Sequence, residues 1–299
     1  MSESLPSKVE RFGQCFGAAR PVWDRREGVR IDYDALESNP FDALMFLTMY
    51  AHERPQANPR YKFAHRMAVL RTIGVSGIMP DTNERFHHSF ETDDNFALAV
   101  WQNFAQCLGE EDTKAVPNER YTKGAVRLIL ERLKEGSEPN VVRWLRSKKL
   151  GDAYYTLSRL GGGIGHKIAA LFLRDIWYFV GEWPTYDNTR LFCTQPVDIW
   201  VERWARRCWP GIEWPSDREK SAKLIVECCG KDKINPILFN MGAWFVGSHF
   251  QRLCSFFQIP MLQRFDYIGA LDIFDPALVN QGISNLERYE GNGQIFPLL

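Results

Sequence analysis

The chain has 299 residues with 37 basic against 37 acidic side chains, so its formal charge is zero and a polyanionic partner must be met by a local patch. Apolar residues make up 45% and aromatics 13%, which excludes a disordered chain and supplies a sizeable core. No apolar run approaches the ~18 residues of a membrane span, and the opening Met-Ser-Glu-Ser-Leu-Pro-Ser lacks the basic region and apolar stretch of a secretion signal. An intracellular location, cytoplasm or nucleoid or nucleus, is expected.

In chain order, residues 1–35 are less regular and are expected to form an extension to a helical domain over residues 36–299. Only Val29-Arg30-Ile31-Asp32-Tyr33 alternates like a strand. Arg60, Lys62, His65, Arg66 and Arg71, with Tyr61 among them, read either as a nucleic-acid face or as a solvated helix face. His87 and His88 near Glu91, Asp93 and Asp94 read as an exposed polar loop, because His-Glu-x-x-His spacing is missing; no metal is expected. Phe96, Val100, Phe104 and Leu108 recur at helical spacing between Asp93-Asp94 and Gly109. Further helices are expected at residues 121–135, closed by Gly136, and at 141–149. Between Glu119 and Lys149 lie nine Lys or Arg against four Glu, a second candidate for a phosphate-facing surface. Proline-bearing loops are expected at 55–59, 183–184 and 210–215.

The informative stretch runs over residues 152–180. A short helix ends in Gly161-Gly162-Gly163-Ile164-Gly165-His166-Lys167, and a second helix starts at once with Ile168, Leu171, Phe172 and Ile176 on its inner face. Glycines admit left-handed backbone and close approach of another chain, while Ile164 can plug the space between the helices. The free N–H groups at the start of the second helix then make a phosphate site that needs no side-chain charge. A packed Gly-rich turn is the alternative. A nucleotide-binding P-loop is rejected, since a helix precedes the glycines and Gly-Lys-Ser/Thr is absent. Gln195-Pro196-Val197-Asp198-Ile199-Trp200 then starts another helix with Asp198 in its first turn, where a carboxylate also serves as a plain helix cap. Ser216-Asp217-Arg218-Glu219 reads as a capping box, and Asn235-Pro236 opens an apolar helix through Phe245. The seven cysteines, with Cys208, Cys228, Cys229 and Cys254 loosely grouped, match neither a zinc nor an iron–sulfur ligand run and are expected to be reduced and mostly buried.

Together, the Gly-x-Gly-x-Lys hairpin and the Pro-Val-Asp helix start resemble the helix-hairpin-helix (HhH-GPD) DNA glycosylases, in particular the 8-oxoguanine DNA glycosylase/AP lyases. The match is strong over about 150–210; Asn39-Pro40-Phe41-Asp42-Ala43-Leu44 and residues 239–249 look like the family's first helix start and a late packing helix. Lys167 falls on the lysine of the bifunctional members and Asp198 on the catalytic aspartate. The two are 31 residues apart, longer than in most members and similar to the archaeal type. Gly162 replaces the family's proline before the hairpin glycine, and no four-cysteine cluster of the endonuclease III kind is present.

The resemblance implies an all-α fold of two helical lobes with a cleft between them. It implies a monomer acting on double-stranded DNA that contains a damaged base, an oxidised purine such as 8-oxoguanine, with no membrane partner and no required cofactor beyond a monovalent ion at the hairpin. Cleaving the N-glycosidic bond builds positive charge on the sugar, which a carboxylate such as Asp198 can stabilise. An amine such as Lys167 can capture the sugar carbon as a Schiff base and permit β-elimination. Gly161, Gly163, Gly165 and His166 are the candidate phosphate contacts. The damaged base must be flipped into a pocket, for which Trp183 and Trp200 are candidates among many core aromatics. If Lys167 only binds phosphate, the protein is a monofunctional glycosylase for alkylated or deaminated bases. If neither residue acts, it is a non-catalytic DNA-binding or scaffold protein.

Overall fold

The computed structural model describes residues 3–26, 31–51, 59–75, 81–108, 124–185 and 188–256. Among the described residues there is no β-strand. The regular structure of the described residues is helical, twelve α-helices and one 3-10 helix. The chain divides into two compact units: Met1–Gly28 with Val197–Leu299, and Val29–Pro196.

The first unit contains α1 (Leu5–Arg26). The expectation of irregular structure over residues 1–35 is corrected here for its first part. Sequence reading is misled by Gly13, Gly17 and Pro21, which weaken helix propensity; packing overrides it. Val9, Phe12 and Phe16 recur at helical spacing and are buried. Ile31, Asp32 and Tyr33 of the strand-like stretch form no strand, while Val29 and Arg30 lie outside the described residues. The partner of α1 is the helix α12 (Pro236–Phe256), with Phe16 against Trp244 and Phe245 at centroid distances of 5.2 and 5.6 Å. A Cβ on Gly13 would lie 1.9 Å from the Leu238 carbonyl oxygen, and one on Gly242 would lie 1.8 Å from that of Val9. The pairing of 13 with 238 and of 9 with 242 makes the two helices antiparallel at backbone contact. Asn235 caps α12, its side chain accepting from the Ile237 and Leu238 amides, and Glu10 accepts the Asn235 N–H at 2.9 Å. The unit is completed by α10 (Ile199–Cys208) and α11 (Arg218–Asp232). The cap of α11 is Asp217, accepting from Lys220 N at 2.8 Å, and Glu219 pairs with Lys223. The expected Ser216–Glu219 box is therefore replaced by a carboxylate cap one residue later, which the helix dipole favours more than a hydroxyl.

The second unit is built around α2 (Pro40–Ala51), all twelve residues of which are buried. A helix apolar on every side belongs in a core. It begins where the sequence predicts, with Asn39 and Asp42 capping reciprocally: Asn39 accepts the Asp42 N–H, and its amide donates to the Asp42 carboxylate at 2.9 Å. Around it lie α3 (Pro59–Thr72), α4 (Thr82–Thr92), α5 (Phe96–Leu108), α6 (Ala125–Glu135), α7 (Val141–Arg146), α8 (Leu150–Ser158) and α9 (His166–Val180). His87 and His88 therefore sit on a helix, not the expected loop, and His87 pairs with Glu91 one turn on at 3.3 Å. His65, counted above as a basic-patch residue, is buried and stacked on Phe104 at 3.7 Å. The expected helix over 141–149 breaks after Arg146, and a new one starts at Leu150. Tyr50 at the end of α2 donates to Asp175 of α9 at 2.6 Å, and Asp175 also accepts from Arg174; this ion pair is wholly buried.

Candidate functional site

The second unit positions the glycine hairpin between α8 and α9. Leu157 of α8 and Ile168, Leu171, Phe172 and Ile176 of α9 are buried, as the apolar spacing predicts. Ile164 is 3% exposed, and its N–H returns to the Gly161 carbonyl at 3.2 Å. The plug expected from the sequence is thus in place, and it closes the turn on itself.

Each glycine answers a different demand. Gly162 has φ +63, which proline cannot adopt, and its missing Cβ would lie 2.6 Å from the Ala125 amide nitrogen. The family's proline is therefore excluded here by the backbone of α6 passing against the turn. Gly161 and Gly163 also have positive φ, +86 and +106. Gly165 does not: it is the cap residue of α9, extended at φ −99, and no atom lies within 4 Å of where its Cβ would be. Its lack of a side chain leaves open space at the first turn of α9, and the cap residue itself offers the helix amides no side-chain acceptor. His166 and Lys167, the first two residues of that turn, are exposed.

The long interval between Lys167 and Asp198 holds the rest of α9, a loop, and a 3-10 helix (Asn188–Thr194) whose Phe192, Cys193 and Thr194 are buried. Trp183 lies in the loop, 1% exposed, and donates its indole N–H to the Lys148 carbonyl at 2.9 Å. The Arg146 guanidinium stands 5.8 Å from the ring centre. Trp183 is a packing residue, and no face of its ring is open to a base. Tyr186 and Asp187 lie outside the described residues.

Asp198 belongs to the first unit, two positions beyond the division, and Lys167 to the second. Asp198 caps α10: its Oδ1 accepts the amides of Trp200 and Val201 at 3.0 and 3.1 Å. The cap fixes the carboxylate at the helix N-terminus, with Ile199 beside it 57% exposed. Trp200 is half-buried; the Arg203 guanidinium lies 5.3 Å from its ring centre, and Gly247 of α12 backs it with no room for a methyl group.

The basic stretch before the hairpin is largely matched from within. Arg127 pairs with Glu131 at 2.8 Å and Arg132 with Glu135 at 2.7 Å, while Arg143 grips Glu138 through two hydrogen bonds of 2.7 and 2.8 Å. Burial would raise the Glu138 carboxyl, but the Arg143 guanidinium and the Asn140 N–H hold it below the usual carboxylate range. Lys134 donates to the Phe90 and Glu91 carbonyls, and Arg146 donates to the Gly181 and Glu182 carbonyls. Lys148 lies over the Trp144 ring at 4.7 Å, and Lys149 is exposed. Arg120 and Lys123, like the side chains of Arg60, Tyr61 and Lys62, lie outside the described residues.

No family model, curated protein or solved structure matches the chain.

Sequence reading passed over Tyr154. Its ring is 5% exposed on α8, and its hydroxyl meets Nδ1 of His166 at 3.1 Å. The signal was a Tyr-Tyr pair in the helix that enters the glycine turn, facing back across the hairpin. Trp204 and Phe245, among the many core aromatics, are buried. Among the described residues no cluster of His, Cys, Asp or Glu could hold a metal ion, and no helix is long and apolar enough to cross a membrane. Cys228 and Cys229 are buried, and desolvation pushes the thiols of both above their usual range; burial with Asp232 nearby takes Cys208 up to about 12. Such thiols are poor nucleophiles.

Proposed function

We propose that this chain is a helix-hairpin-helix DNA glycosylase with lyase activity that excises an oxidised purine, such as 8-oxoguanine, from duplex DNA in base excision repair. The observation that carries the reading is the hairpin itself. A buried Ile164 closes a glycine turn that opens directly onto a helix N-terminus whose cap residue is glycine, with an exposed lysine as the second residue of that helix. A dipole-bearing first turn with a glycine cap suits a phosphate, and a lysine within the same turn would be in reach of the sugar of the nucleotide so held.

In this reading the amides after Gly165, with His166, bind the backbone, and Gly161 and Gly163 let it come close. Lys167 attacks the sugar carbon as its bond to the base breaks. The base leaves with the electron pair of that bond and takes up a proton; the C1′–O4′ bond then breaks, O4′ taking a proton, while the Lys167 nitrogen gives up a proton and its lone pair closes the imine. Asp198 stabilises the positive charge that develops on the sugar, held at one rotamer by the two amides it caps. Elimination of the 3′ phosphate then follows from the imine.

Borohydride trapping on duplexes carrying a panel of lesions tests this. The expected result is a covalent complex that is lost in Lys167→Ala. Base release that persists in Lys167→Ala and vanishes in Asp198→Asn assigns a monofunctional glycosylase instead. No release from any lesion overturns the enzymatic reading in favour of a DNA-binding scaffold.

A further inference from the structure

We propose that Tyr154 is a positioning residue: its hydroxyl holds Nδ1 of His166 so that the outward ring nitrogen, Nε2, carries the proton and donates to a DNA phosphate at the start of α9. The inference rests on the glycosylase reading and adds to it the residue that prepares one of the phosphate contacts.

Three observations support it. The Tyr154 ring is fixed: it stands edge-on to Tyr155 at 5.2 Å and to Phe192 at 6.2 Å, with the His166 ring 5.6 Å away. A buried phenol hydroxyl requires a hydrogen-bond partner, and His166 Nδ1 supplies one at 3.1 Å. The imidazole itself is on the exposed side of that bond, at the helix turn whose cap residue is Gly165. A neutral imidazole has one protonated nitrogen and one acceptor. With the tyrosine donating to Nδ1, Nε2 becomes the donor, which is the form that a phosphate oxygen accepts from. With the tyrosine accepting instead, Nε2 would present a lone pair and repel phosphate. The bond from α8 therefore sets the chemical sense of a side chain on α9, and it crosses the same glycine turn that brings the two helices together.

The test joins a spectroscopic and a binding measurement on the full chain. Nitrogen–proton correlation on labelled histidine should show His166 with Nε2 protonated, and in Tyr154→Phe the two tautomers should mix. Binding to a duplex carrying a tetrahydrofuran abasic analogue should weaken about five- to tenfold in Tyr154→Phe, the scale of one ordinary net hydrogen bond. His166→Gln, whose amide nitrogen falls near Nε2, should keep most of the affinity and lose its sensitivity to Tyr154→Phe. His166→Asn, whose amide reaches only the Nδ1 position, should not. A wild-type His166 protonated at Nδ1, or a Tyr154→Phe chain with unchanged tautomer and affinity, overturns this inference alone, provided the wild-type chain still traps lesion DNA. A wild-type chain that binds no duplex overturns both readings.

Discussion

At the scale of single residues, the hairpin is exacting at one glycine and permissive at another. Gly162 needs a positive φ and lacks room for any Cβ, since Ala125 backbone atoms would lie 2.6 and 2.7 Å from it. Gly162→Ala is expected to cost at least 2 kcal/mol, roughly the sum of left-handed strain and overpacking, read as a fall in thermal midpoint. Gly165→Ala, extended and facing open space, should leave the midpoint within about 0.5 kcal/mol of wild type and weaken duplex binding, because its methyl group intrudes only on a bound backbone. Asp42 gives a pH-dependent counterpart. Burial raises its carboxyl to about 6, against the Asp32 N–H and Arg66, which lower it, and together with the Asp32 carboxylate, which raises it further. The folded chain then holds this proton more tightly than the unfolded chain. Its effect on stability is a cost that is full above about pH 6 and fades as the pH falls towards about 4. Asp42→Asn, which cannot ionise but can still accept from Asn39, should gain on wild type as the pH rises from about 4 to about 7, by on the order of 1–3 kcal/mol. Thermal midpoints across that range check it; a difference that does not change with pH would overturn the assignment.

At the scale of elements, the sequence was legible wherever local signals and packing agree. The caps at Asp198 and Asn235 and the apolar spacing of α5 and α9 were each readable because one face and one end residue determine them, whereas the helix start at Asn39 was read from the resemblance alone. The plug at Ile164 was readable for the same reason. The first helix was hidden because its glycines look like breakers until α12 is seen to need them for close approach. The patch between Glu119 and Lys149 was readable as composition but not as surface, since its glutamates lie at the three- to five-residue spacings that pair them with its arginines. Tyr154 was illegible because the contact that gives it a role crosses a turn. The helix that Asp198 caps is seated on α12 by a similar hidden contact. A Cβ on Gly247 would lie 2.6 Å from both Cβ and Cγ of Trp200, two residues after the cap. Gly247→Ala should therefore displace α10, cost about 1–3 kcal/mol, and slow base release although position 247 reacts with nothing. Unchanged release in a destabilised variant would separate the seat of α10 from the chemistry.

At the scale of the whole molecule, the proposed substrate is a polyanion, while the chain carries 37 positive against 37 negative side chains. The exposed pairs Arg127–Glu131 and Arg132–Glu135 are weak, about 0.2–1 kcal/mol each for surface pairs, so a phosphate could displace the carboxylates at little cost. Arg146 is different: its side chain is 10% exposed and it donates to backbone carbonyls, so it holds the loop after α9 and not DNA. If helix amides supply much of the grip, binding should depend on salt less steeply than in basic DNA-binding proteins, because only cationic side chains release counterions in full. Glu131→Gln with Glu135→Gln separates the two contributions. If the face of α6 borders the duplex, releasing Arg127 and Arg132 should raise non-specific affinity and steepen the slope of log affinity against log salt by up to about 1.8, roughly 0.9 for each new phosphate contact. If the face lies away from DNA, affinity and slope should both stay at wild-type values, and the contact surface would then centre on the glycine turn and the first turn of α9.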